Sequence, residues 1–380
     1  MKRKGVSWLQ DSLYYCYSPL LSQPWILDSD VTVKPLYGNQ EGAIVGYNPH
    51  KPGRPSHTYH THMIANLRLI LDVEVQAGNQ SSSRYSAPGL WALLERLPKT
   101  HLPQFIRGDC DWGSDGIMTE AEQREMDYLF KLRQSKYVKK LILENHCKSG
   151  WEQTVEGWEA LSSELKLSTW KRTRRVVIVR RRIKNNLVIA PDTDKAFPRQ
   201  LSLLEPAEDM GVFEYSVLVT SLDAGVTTIV QHYRDRADCE NNFDEIKNQW
   251  GWGGFVTKKI KPCRLVARMI ALIYNWWSLF VRLAVPNKHV EAIVSRPLLL
   301  HGVGKQTMHA AQKTLTITSN HGRAPFVRKA YQRINDFFNH LKAIASQLTP
   351  VQCWNRILSE AMKKYLQGAI LRPPDGLIWD

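Results

Sequence analysis

The sequence predicts a mixed α/β fold, and three observations support that class. The first 135 residues alternate β-rich runs with helical runs, an order in which crossover connections return the chain to one sheet. Residues 136–222 are β-rich without long helices between the strands, and helical patterns dominate from residue 223 onward. With 380 residues, of which 43% are hydrophobic and 23% charged, the chain is long enough for two or three domains.

The sheet is expected to begin with three successive strands. Residues 25–33, WILDSDVTV, form a β-branched run, and residues 42–48, GAIVGYN, follow after a turn-like segment, so we expect a hairpin. Residues 48–57 contain three prolines and a glycine, which predict a break in regular structure. Residues 67–78, LRLILDVEVQAG, then supply the third strand.

The later elements follow from helical spacing and from β-rich runs. The predicted helices are residues 86–97 and 119–126, and the predicted strands are residues 104–112, 127–134, 168–184 and 211–222. The chain is thus expected to contain a short N-terminal segment, the first part of a core, a β-rich insertion, core helices and a helical C-terminal region. The N-terminal segment is residues 1–24, and the first part of the core is residues 25–135. The β-rich insertion is residues 136–222, the core helices are residues 223–290, and the C-terminal region is residues 291–380.

The charge balance predicts a polyanionic partner. The chain has 51 Lys and Arg residues against 36 Asp and Glu residues, a formal net charge of +15. Cations that neutralise phosphates release condensed counterions, so such a chain favours nucleic acid. Residues 168–184 alternate arginines with apolar residues, which can place several cations on one side of a sheet. This segment is therefore the expected contact with a DNA backbone.

Other features exclude several classes of protein and site. The six cysteines lie far apart without a C-x-x-C pair, as is typical of reduced thiols in a cytosolic protein. The N-terminal residues lack the apolar run of a secretory signal. The uncharged part of residues 265–285 is too short for a membrane span, which needs about 20 apolar residues, so a buried core helix is expected. His57, His60 and His62 are assigned a loop role, because no partner cluster with metal-ligand spacing follows them.

Two of the predicted strands each contain a pair of acidic residues. Asp28 and Asp30 lie two apart in one strand and so share a face, and Asp109 and Asp111 repeat that arrangement at the end of another. Neighbouring carboxylates raise each other's pKa, and a divalent cation relieves the repulsion. Clusters of oxygen ligands suit magnesium or manganese, and pairs of these ions serve phosphoryl transfer. Solvated strand ends are the alternative interpretation of these four acids.

Residues 231–254 combine an apolar stripe with a polar one. The apolar stripe recurs at i, i+4, i+7 and i+11, as expected of a buried helix face, and consists of Cys239, Phe243, Ile246 and Trp250. On one continuous helix, a neighbouring arc of about 60° holds Tyr233, Arg236, Glu240 and Lys247. The arc would lie along the edge of a helix packed on the sheet, where its glutamate could complete the acidic cluster. Helical geometry alone does not separate Glu240 from Asp244, and a solvated face with an ordinary Arg236–Glu240 pair is the alternative.

The order Tyr233, Arg236, Glu240 and Lys247 resembles a known signature in both residue type and spacing. It is similar to the Tyr-Arg-Glu-Lys signature of the DDE-type transposases of bacterial insertion sequences. Residues 27–57 and 106–114 look like the family's blocks around its first and second aspartates, and residues from 240 onward look like the block after its glutamate. The resemblance covers roughly residues 25–285.

The resemblance implies a ribonuclease H-like mixed sheet with flanking helices, interrupted by a β-rich insertion before the helix that carries the glutamate. By the same resemblance, Asp30, Asp109 and Glu240 match the three catalytic, metal-binding positions. Asp28 and Asp111 remain rivals at a distance of two residues. The resemblance also assigns phosphate contacts near the cut DNA end to Tyr233, Arg236 and Lys247, with further candidates at Lys258, Lys259, Lys51 and Arg54.

The activity implied by the resemblance is metal-dependent cleavage of DNA at the ends of an insertion sequence. The freed 3′ hydroxyl then attacks target DNA, with two Mg²⁺ ions as cofactors, for which Mn²⁺ can substitute. The implied partner is double-stranded DNA, bound by a homodimer in a synaptic complex in the bacterial cytoplasm at the nucleoid, without a membrane.

One departure from the family pattern concerns the N-terminus. Only 29 residues precede Asp30, so the N-terminal DNA-binding region of the family is expected to be missing. Two alternatives therefore accompany the transposase hypothesis. One is a DNA-binding relic or domesticated protein without catalysis, and the other is a DNA nuclease without strand transfer.

Overall fold

The computed structural model describes residues 2–183, 213–255, 257–286, 288–301, 303–318 and 320–371. The chain divides into two compact units. Unit 1 combines Met1–Gln104 with Ala237–Asp380, and unit 2 is Phe105–Arg236.

The described elements are mixed α/β, as the sequence predicts. The helices are α1 (Lys2–Tyr17), α2 (Ser83–Leu94), α3 (Asp115–Gln123), α4 (Lys136–Asn145), α5 (Val226–Arg234), α6 (Ala237–Gln249), α7 (Ile260–Ala284), α8 (Ala292–Leu299), α9 (Ala324–Ile344) and α10 (Pro350–Ala361). The strands are β1 (Ile26–Pro35), β2 (Ile44–Val45), β3 (Pro55–Ile64), β4 (Leu69–Ala77), β5 (Phe105–Gly108), β6 (Tyr128–Lys131), β7 (Glu152–Gln153), β8 (Trp158–Leu165), β9 (Arg174–Arg182), β10 (Phe213–Thr220), β11 (Gly304–His309) and β12 (Gln312–Ile317).

In unit 1, β3 is the central strand of the sheet. It pairs antiparallel with β1 on one side and with β4 on the other, and β2 pairs with its first two residues. The predicted strands at residues 25–33 and 67–78 are confirmed as β1 and β4. The predicted hairpin between β1 and residues 42–48 is wrong, because β2 has only two residues and pairs with β3 instead of β1.

The sequence reading missed β3 itself. Its first residue is Pro55, a position where a strand tolerates a proline because the missing N–H lies at the end of the ladder. The turn before it uses Gly53, whose φ of +76° favours glycine. Nine of the ten residues of β3 are buried. The predicted loop role for His57, His60 and His62 is therefore wrong, since all three lie in this buried strand.

Helix α7 covers the outer edge of β4. The Asn275 side chain accepts a hydrogen bond from the N–H of Ile70 and donates one to the Ile70 carbonyl, both at 2.8 Å. Arg264 donates to the carbonyl of Val75 at 2.6 Å. An edge strand leaves backbone groups without ladder partners, and these side chains satisfy them. The predicted core helix at residues 265–285 is thus confirmed on its inner face, whereas its outer face is exposed.

Unit 2 contains a second run of paired strands in the order β5, β6, β10, β9, β8 and β7. The pair β5–β6 is parallel, and α3 connects the two strands, while the other pairs are antiparallel. The predicted strands at residues 104–112 and 127–134 are confirmed in shortened form, and the helix predicted at 119–126 begins earlier, at Asp115. Strands β9 and β10 confirm the described parts of residues 168–184 and 211–222, whereas residues 184–212 lie outside the described residues.

The sequence predicted a helical C-terminal region. This prediction is only partly correct, because the C-terminal part of unit 1 also contains two strands. Between α8 and α9, strands β11 and β12 pair as an antiparallel hairpin. Its two loop residues, Ala310 and Ala311, have φ values of 47° and 63°, the backbone of a turn that usually carries Asn and Gly. Two alanines give no such signal, so the hairpin could not be predicted from its turn. No helix in the described parts of the chain is long and apolar enough to span a membrane.

Candidate active site

Strand β1 carries the first pair of candidate carboxylates. Asp28 lies opposite Met63 on β3 and Asp30 lies opposite Thr61, so both acids project from the same face of the unit 1 sheet. Asp28 is only 1% exposed, whereas Asp30 is partly exposed. The N–H of Val31 donates to Asp30 Oδ1 at 2.7 Å. The hydroxyl of Thr61 is buried and has no hydrogen-bond partner among the described residues.

Asp109 follows β5 at the start of a tight turn in unit 2. A Cβ atom at Gly108 would lie 2.5 Å from the ring of Trp112, so only glycine lets the chain turn here with that ring in place. The N–H of Asp111 donates to Asp109 Oδ1 at 3.0 Å, and Asp111 itself pairs with Arg133. Burial raises the pKa of Asp109, although this hydrogen bond opposes the change. Asp109 is therefore a carboxylate whose charged form is held in an unfavourable environment.

The predicted single helix across residues 231–254 is wrong. Helix α5 ends at Arg234 and α6 begins at Ala237, with a turn at residues 235–236 in which the N–H of Arg236 donates to the Tyr233 carbonyl at 3.1 Å. Tyr233 and Arg236 consequently do not share a helix face with Glu240 and Lys247. The prediction that these four residues lie in one helical arc is therefore wrong.

A sequence signal for this break exists in the apolar positions. Val226, Ile229 and Val230 form the buried stripe of α5, and Cys239, Phe243 and Ile246 form that of α6. On one continuous helix these two stripes would lie about 130° apart. Two stripes that differ this much in phase indicate two helices, each with its own buried face.

Helix α6 packs on the face of the sheet from which the acids of β1 project. The Cys239 Sγ lies 3.1 Å from Met63 Sδ, and Met63 is the strand partner of Asp28. The predicted core positions Cys239, Phe243 and Ile246 are buried as expected, whereas Trp250 follows the end of α6 and is only partly buried. Glu240 is exposed near the start of this helix, and Lys247 is partly exposed in its last turn.

The six signature and carboxylate positions fall in both units. Unit 1 contains Asp30, Glu240 and Lys247, and unit 2 contains Asp109, Tyr233 and Arg236. Within unit 2, the charge of Arg236 acts on Asp109 and lowers the pKa of that carboxyl, against the larger effect of burial. Arg236 is 5% exposed, and Tyr233 is partly exposed.

The donor chemistry suits a hard cation, because the three carboxylates supply only oxygen ligands. The destabilised anion of Asp109 and the buried hydroxyl of Thr61 beside Asp30 are also consistent with a cation or its bound water. Among the residues that the structure describes, however, no group of three or more His, Cys, Asp or Glu side chains is arranged to hold a metal ion.

The basic strand predicted to contact DNA is β9, and its arginines have acidic partners within unit 2. Arg174 pairs with Asp115 at 2.7 Å and with Glu122 at 2.8 Å. Two more pairs are Arg180 with Glu159 at 2.5 Å and Arg181 with Glu214 at 2.9 Å. The positive charge of this strand is therefore partly compensated by the fold.

The other predicted phosphate contacts are surface residues with varied local partners. Lys51 donates to the hydroxyl of Tyr37, and the Arg54 guanidinium lies 4.8 Å from the centre of the same ring. The carbonyl of Lys258 accepts a hydrogen bond from the N–H of Glu41 at 2.9 Å. Lys258 and Lys259 stand just before the start of α7.

Glu245 on α6 is a buried carboxylate that the sequence did not predict. It is 2% exposed and accepts hydrogen bonds from His289 at 2.7 Å, from the N–H of Ala292 at 3.0 Å and from Trp250 at 3.3 Å. Burial raises its pKa, but these donors outweigh that effect and lower it overall. The apolar stripe of α6 gave no signal for this burial, because Glu245 lies about 100° from Ile246 around the helix and its partners His289 and Ala292 are distant in sequence.

The three histidines of β3 have structural partners. His62 Nδ1 lies 2.8 Å from the Ser29 hydroxyl, and His60 Nε2 lies 2.7 Å from the Gln80 carbonyl. Burial lowers the pKa of His60 and of His62 to about 4, so both imidazoles are neutral near pH 7. His57 Nε2 lies 2.8 Å from the Glu41 carbonyl.

Acids within β1 and directly after β5, together with a glutamate on α6, are features of a DDE-type transposase, and comparison with known families agrees. Residues 10–338 match the model of the family described as transposase DDE domain group 1. The match covers most of the 380 residues, so the chain belongs to this family. No curated protein matches the chain.

One solved structure with which the chain aligns is also a transposase. It is the piggyBac transposase in a cryo-EM structure of its synaptic complex with hairpin DNA. The two chains are 12% identical, with a TM-score of 0.38 and 93% of this chain covered. The chain spans 55% of the length of that transposase chain.

Proposed function

We propose that this protein is a DNA transposase that cleaves DNA at the ends of an insertion sequence and joins the freed 3′ hydroxyl to target DNA. The observation that carries the proposal is family membership, because the matched residues 10–338 include all six signature and carboxylate positions. Membership supports DNA transposition in general. Cleavage and strand transfer are the steps that we add for this chain.

Asp30, Asp109 and Glu240 are the proposed catalytic, metal-binding residues. On β1, partial exposure favours Asp30 over Asp28, because Asp28 is only 1% exposed and is therefore less accessible to a DNA strand. Glu240 is exposed on α6, a helix on the same face of the unit 1 sheet, which favours its availability to substrate.

After β5, the contacts of the two aspartates favour Asp109 over Asp111. Asp111 already pairs with Arg133, while its N–H supports the carboxylate of Asp109. The buried anion of Asp109 gains most from a bound cation, because burial has raised its pKa. When bound, two Mg²⁺ ions, or Mn²⁺ in their place, would supply Lewis acidity and an activated water.

Tyr233, Arg236 and Lys247 are the proposed contacts to DNA phosphates near the cut end. An arginine is suited to this task because its planar guanidinium can donate two hydrogen bonds to one phosphate. Arg236 also lowers the pKa of Asp109 and so favours the ionised form of that carboxyl. These residues would position the strand while the carboxylates act on it.

The proposed architecture is a ribonuclease H-like core, residues 25–135 and 223–290, interrupted by the β-rich insertion at 136–222 and followed by the C-terminal region at 291–380. A short segment, residues 1–24, precedes the core. The proposed partners are the double-stranded DNA of the element ends and of the target in the bacterial nucleoid, bound by a homodimer.

Cleavage and joining assays with matched variants test the proposal. DNA that carries the element ends is incubated with Mg²⁺ and either wild type or one of Asp30→Asn, Asp109→Asn and Glu240→Gln. Each substitution removes a charge with little change of shape, and we expect a loss of cleavage of about 10²-fold or more. Asp244→Asn is the control, because Asp244 is exposed on the same helix one turn from Glu240.

The products separate the three hypotheses. Joining of element ends to a target plasmid by wild type supports the transposase, whereas cleavage without joining favours the nuclease. Binding without any cleavage favours a DNA-binding relic. Equal cleavage by wild type and all three carboxylate variants would show that the catalytic assignment is wrong.

A further inference from the structure

A basic cavity of about 500 Å³ lies within unit 1. None of the described residues that line it belongs to the candidate active site. It is formed by the turn between β3 and β4, the end of α7 and the segment after α10. Four of its lining residues are cationic, namely Arg68, Arg282, Lys288 and Lys364. No acidic residue is among the described residues that line it. Its volume falls in the range of small-ligand sites, about 300–1,000 Å³.

Arg282 is a partly exposed cation that lines this cavity. Its guanidinium donates to the Leu67 carbonyl at 2.8 Å and to Met362 Sδ at 3.1 Å, and neither of these acceptors carries a net charge. Burial lowers the pKa of Arg282 to about 10. A charge that is partly removed from water gains from an opposite charge, so a guanidinium whose acceptors are a carbonyl and a thioether would gain from a bound anion.

Arg68 lies on the same cavity in an unusual backbone conformation. Its φ of 52° and ψ of 46° place it in the left-handed region, where glycine is favoured and another residue costs about 1–2 kcal/mol. The conformation is fixed by hydrogen bonds from its N–H to the Ala65 carbonyl at 3.3 Å and from the Tyr274 hydroxyl to its own carbonyl at 3.1 Å. Strained residues of this kind cluster at functional sites.

The two arginines also act on each other. Both arginines line the cavity, and the positive charge of Arg68 contributes to the lowered pKa of Arg282. An anion in the cavity would offset the excess positive charge of its lining and give Arg282 a charged acceptor. Guanidinium groups bind phosphate through paired hydrogen bonds, and lysine ammonium groups at the rim add attraction as point charges.

We propose that this cavity binds a phosphate group. The group belongs either to a DNA backbone or to a free compound such as inorganic phosphate, and both sources present the same tetrahedral oxyanion. The proposal does not rest on transposase activity, because it concerns binding at residues outside the candidate active site. It can therefore hold or fail independently of the proposed function.

Two variants and one matched control test the site. Arg68→Gly removes a cation at a position where glycine relieves backbone strain, so we expect the variant to fold. Lys364→Ala removes an exposed cation at the rim. Lys363→Ala is the control, because Lys363 is the adjacent residue, carries the same charge, pairs with Glu360 at 3.7 Å and does not line the cavity.

Calorimetric titration with inorganic phosphate, at constant ionic strength, is the first measurement. We expect wild type and Lys363→Ala to bind phosphate equally, and Arg68→Gly and Lys364→Ala to bind about tenfold more weakly, as expected for one lost charge-assisted hydrogen bond. Thermal unfolding of the unliganded variants confirms that each is folded.

Binding to random-sequence duplex DNA over a range of salt concentrations separates the two sources. Loss of one backbone contact lowers the slope of log affinity against log salt by about 0.9. A lower slope in Arg68→Gly and Lys364→Ala, but not in Lys363→Ala, assigns the cavity to DNA. Unchanged slopes with weaker phosphate binding assign it to a free phosphate compound. If wild type binds no phosphate and all slopes agree, the proposal is wrong.

Discussion

Glu245 illustrates, at the scale of single residues, how this protein stabilises a buried charge. Its carboxylate is buried in unit 1 and accepts three hydrogen bonds, one of them from His289 at 2.7 Å. A buried carboxylate with this many donors stabilises the fold, whereas removal of its charge leaves those donors poorly satisfied. The same reasoning applies to Arg268, which is buried and pairs with Asp72 at 2.6 Å.

We predict that Glu245→Gln destabilises the protein at neutral pH by about 2–3 kcal/mol, because it weakens charge-assisted hydrogen bonds in a buried site. The folded-state pKa of Glu245 is lower than its usual value. Its contribution to stability is therefore complete above the pKa of an unfolded glutamate and is lost as the pH falls through the folded-state pKa. Urea unfolding across this pH range should show the difference between wild type and variant shrinking on acidification.

The neighbouring residue offers the matched control for this measurement. Asp244→Asn makes the same change from acid to amide on the same helix, but Asp244 is exposed and accepts a hydrogen bond from Asn248 of its own helix at 2.7 Å. We expect its effect to stay within about 0.5 kcal/mol, as for most surface substitutions. Equal effects of the two substitutions at neutral pH would contradict the stabilising role of Glu245.

The elements of the sheet differ in how far the sequence could predict them. Strands β1 and β4 were predicted because each is a β-branched run that stands apart from turn residues. Strand β3 was not, because it begins at Pro55 within a segment rich in proline and carries three histidines. Those histidines read as polar, yet their burial and their hydrogen bonds make them part of the core. Tertiary contacts that the local sequence does not reveal therefore determine this element.

The signature region, which spans α5 and α6, was also only partly predictable from the sequence. The residue types and spacing of Tyr233, Arg236, Glu240 and Lys247 could be read from the sequence. Their arrangement could not, because the helical wheel assumed a helix that in fact breaks at residues 235–236. The phase difference between the two apolar stripes was available, but no glycine or proline marks the break. Burial separates Asp28 from Asp30, which residue types alone leave equivalent.

At the element scale, we predict that Asn275→Leu lowers the free energy of unfolding by removing hydrogen bonds at the edge of β4. Leucine has a similar shape, but it leaves both the N–H and the carbonyl of Ile70 without their side-chain partners. Each buried polar group left unsatisfied costs about 1–3 kcal/mol, so we expect a total loss of about 2–5 kcal/mol. Hydrogen exchange should show faster exchange of the Ile70 amide than in wild type.

Asn241→Leu is the control for that experiment. It makes the same substitution at an exposed position of α6 and should change stability by less than about 0.5 kcal/mol. If Asn275→Leu leaves both the free energy of unfolding and the Ile70 exchange rate unchanged, the edge does not depend on this side chain. Slow exchange with reduced global stability would instead indicate a packing defect elsewhere on α7.

At the scale of the whole molecule, the excess of positive charge is the property most directly readable from the sequence. The formal net charge of +15 does not say where cations are available, and the structure adds that information. Three arginines of β9 are paired with acids of unit 2, whereas the cavity lined by Arg68 and Arg282 has no acidic residue among its described lining. The division into two units also depends on contacts between distant residues, which composition and periodicity do not encode.

We predict that the net charge makes DNA binding strongly dependent on salt. For random-sequence duplex DNA without Mg²⁺, log affinity should fall linearly with log salt, with a slope of about −0.9 for each phosphate contacted. With about six contacts, a fourfold rise in salt would weaken binding by about 10³-fold. A duplex of the same sequence with an uncharged methylphosphonate backbone is the control, and it should bind weakly at every salt concentration. A slope near zero, or equal binding of the two duplexes, would mean that contacts other than phosphate neutralisation hold the DNA, and the expectation drawn from the charge balance would then be wrong.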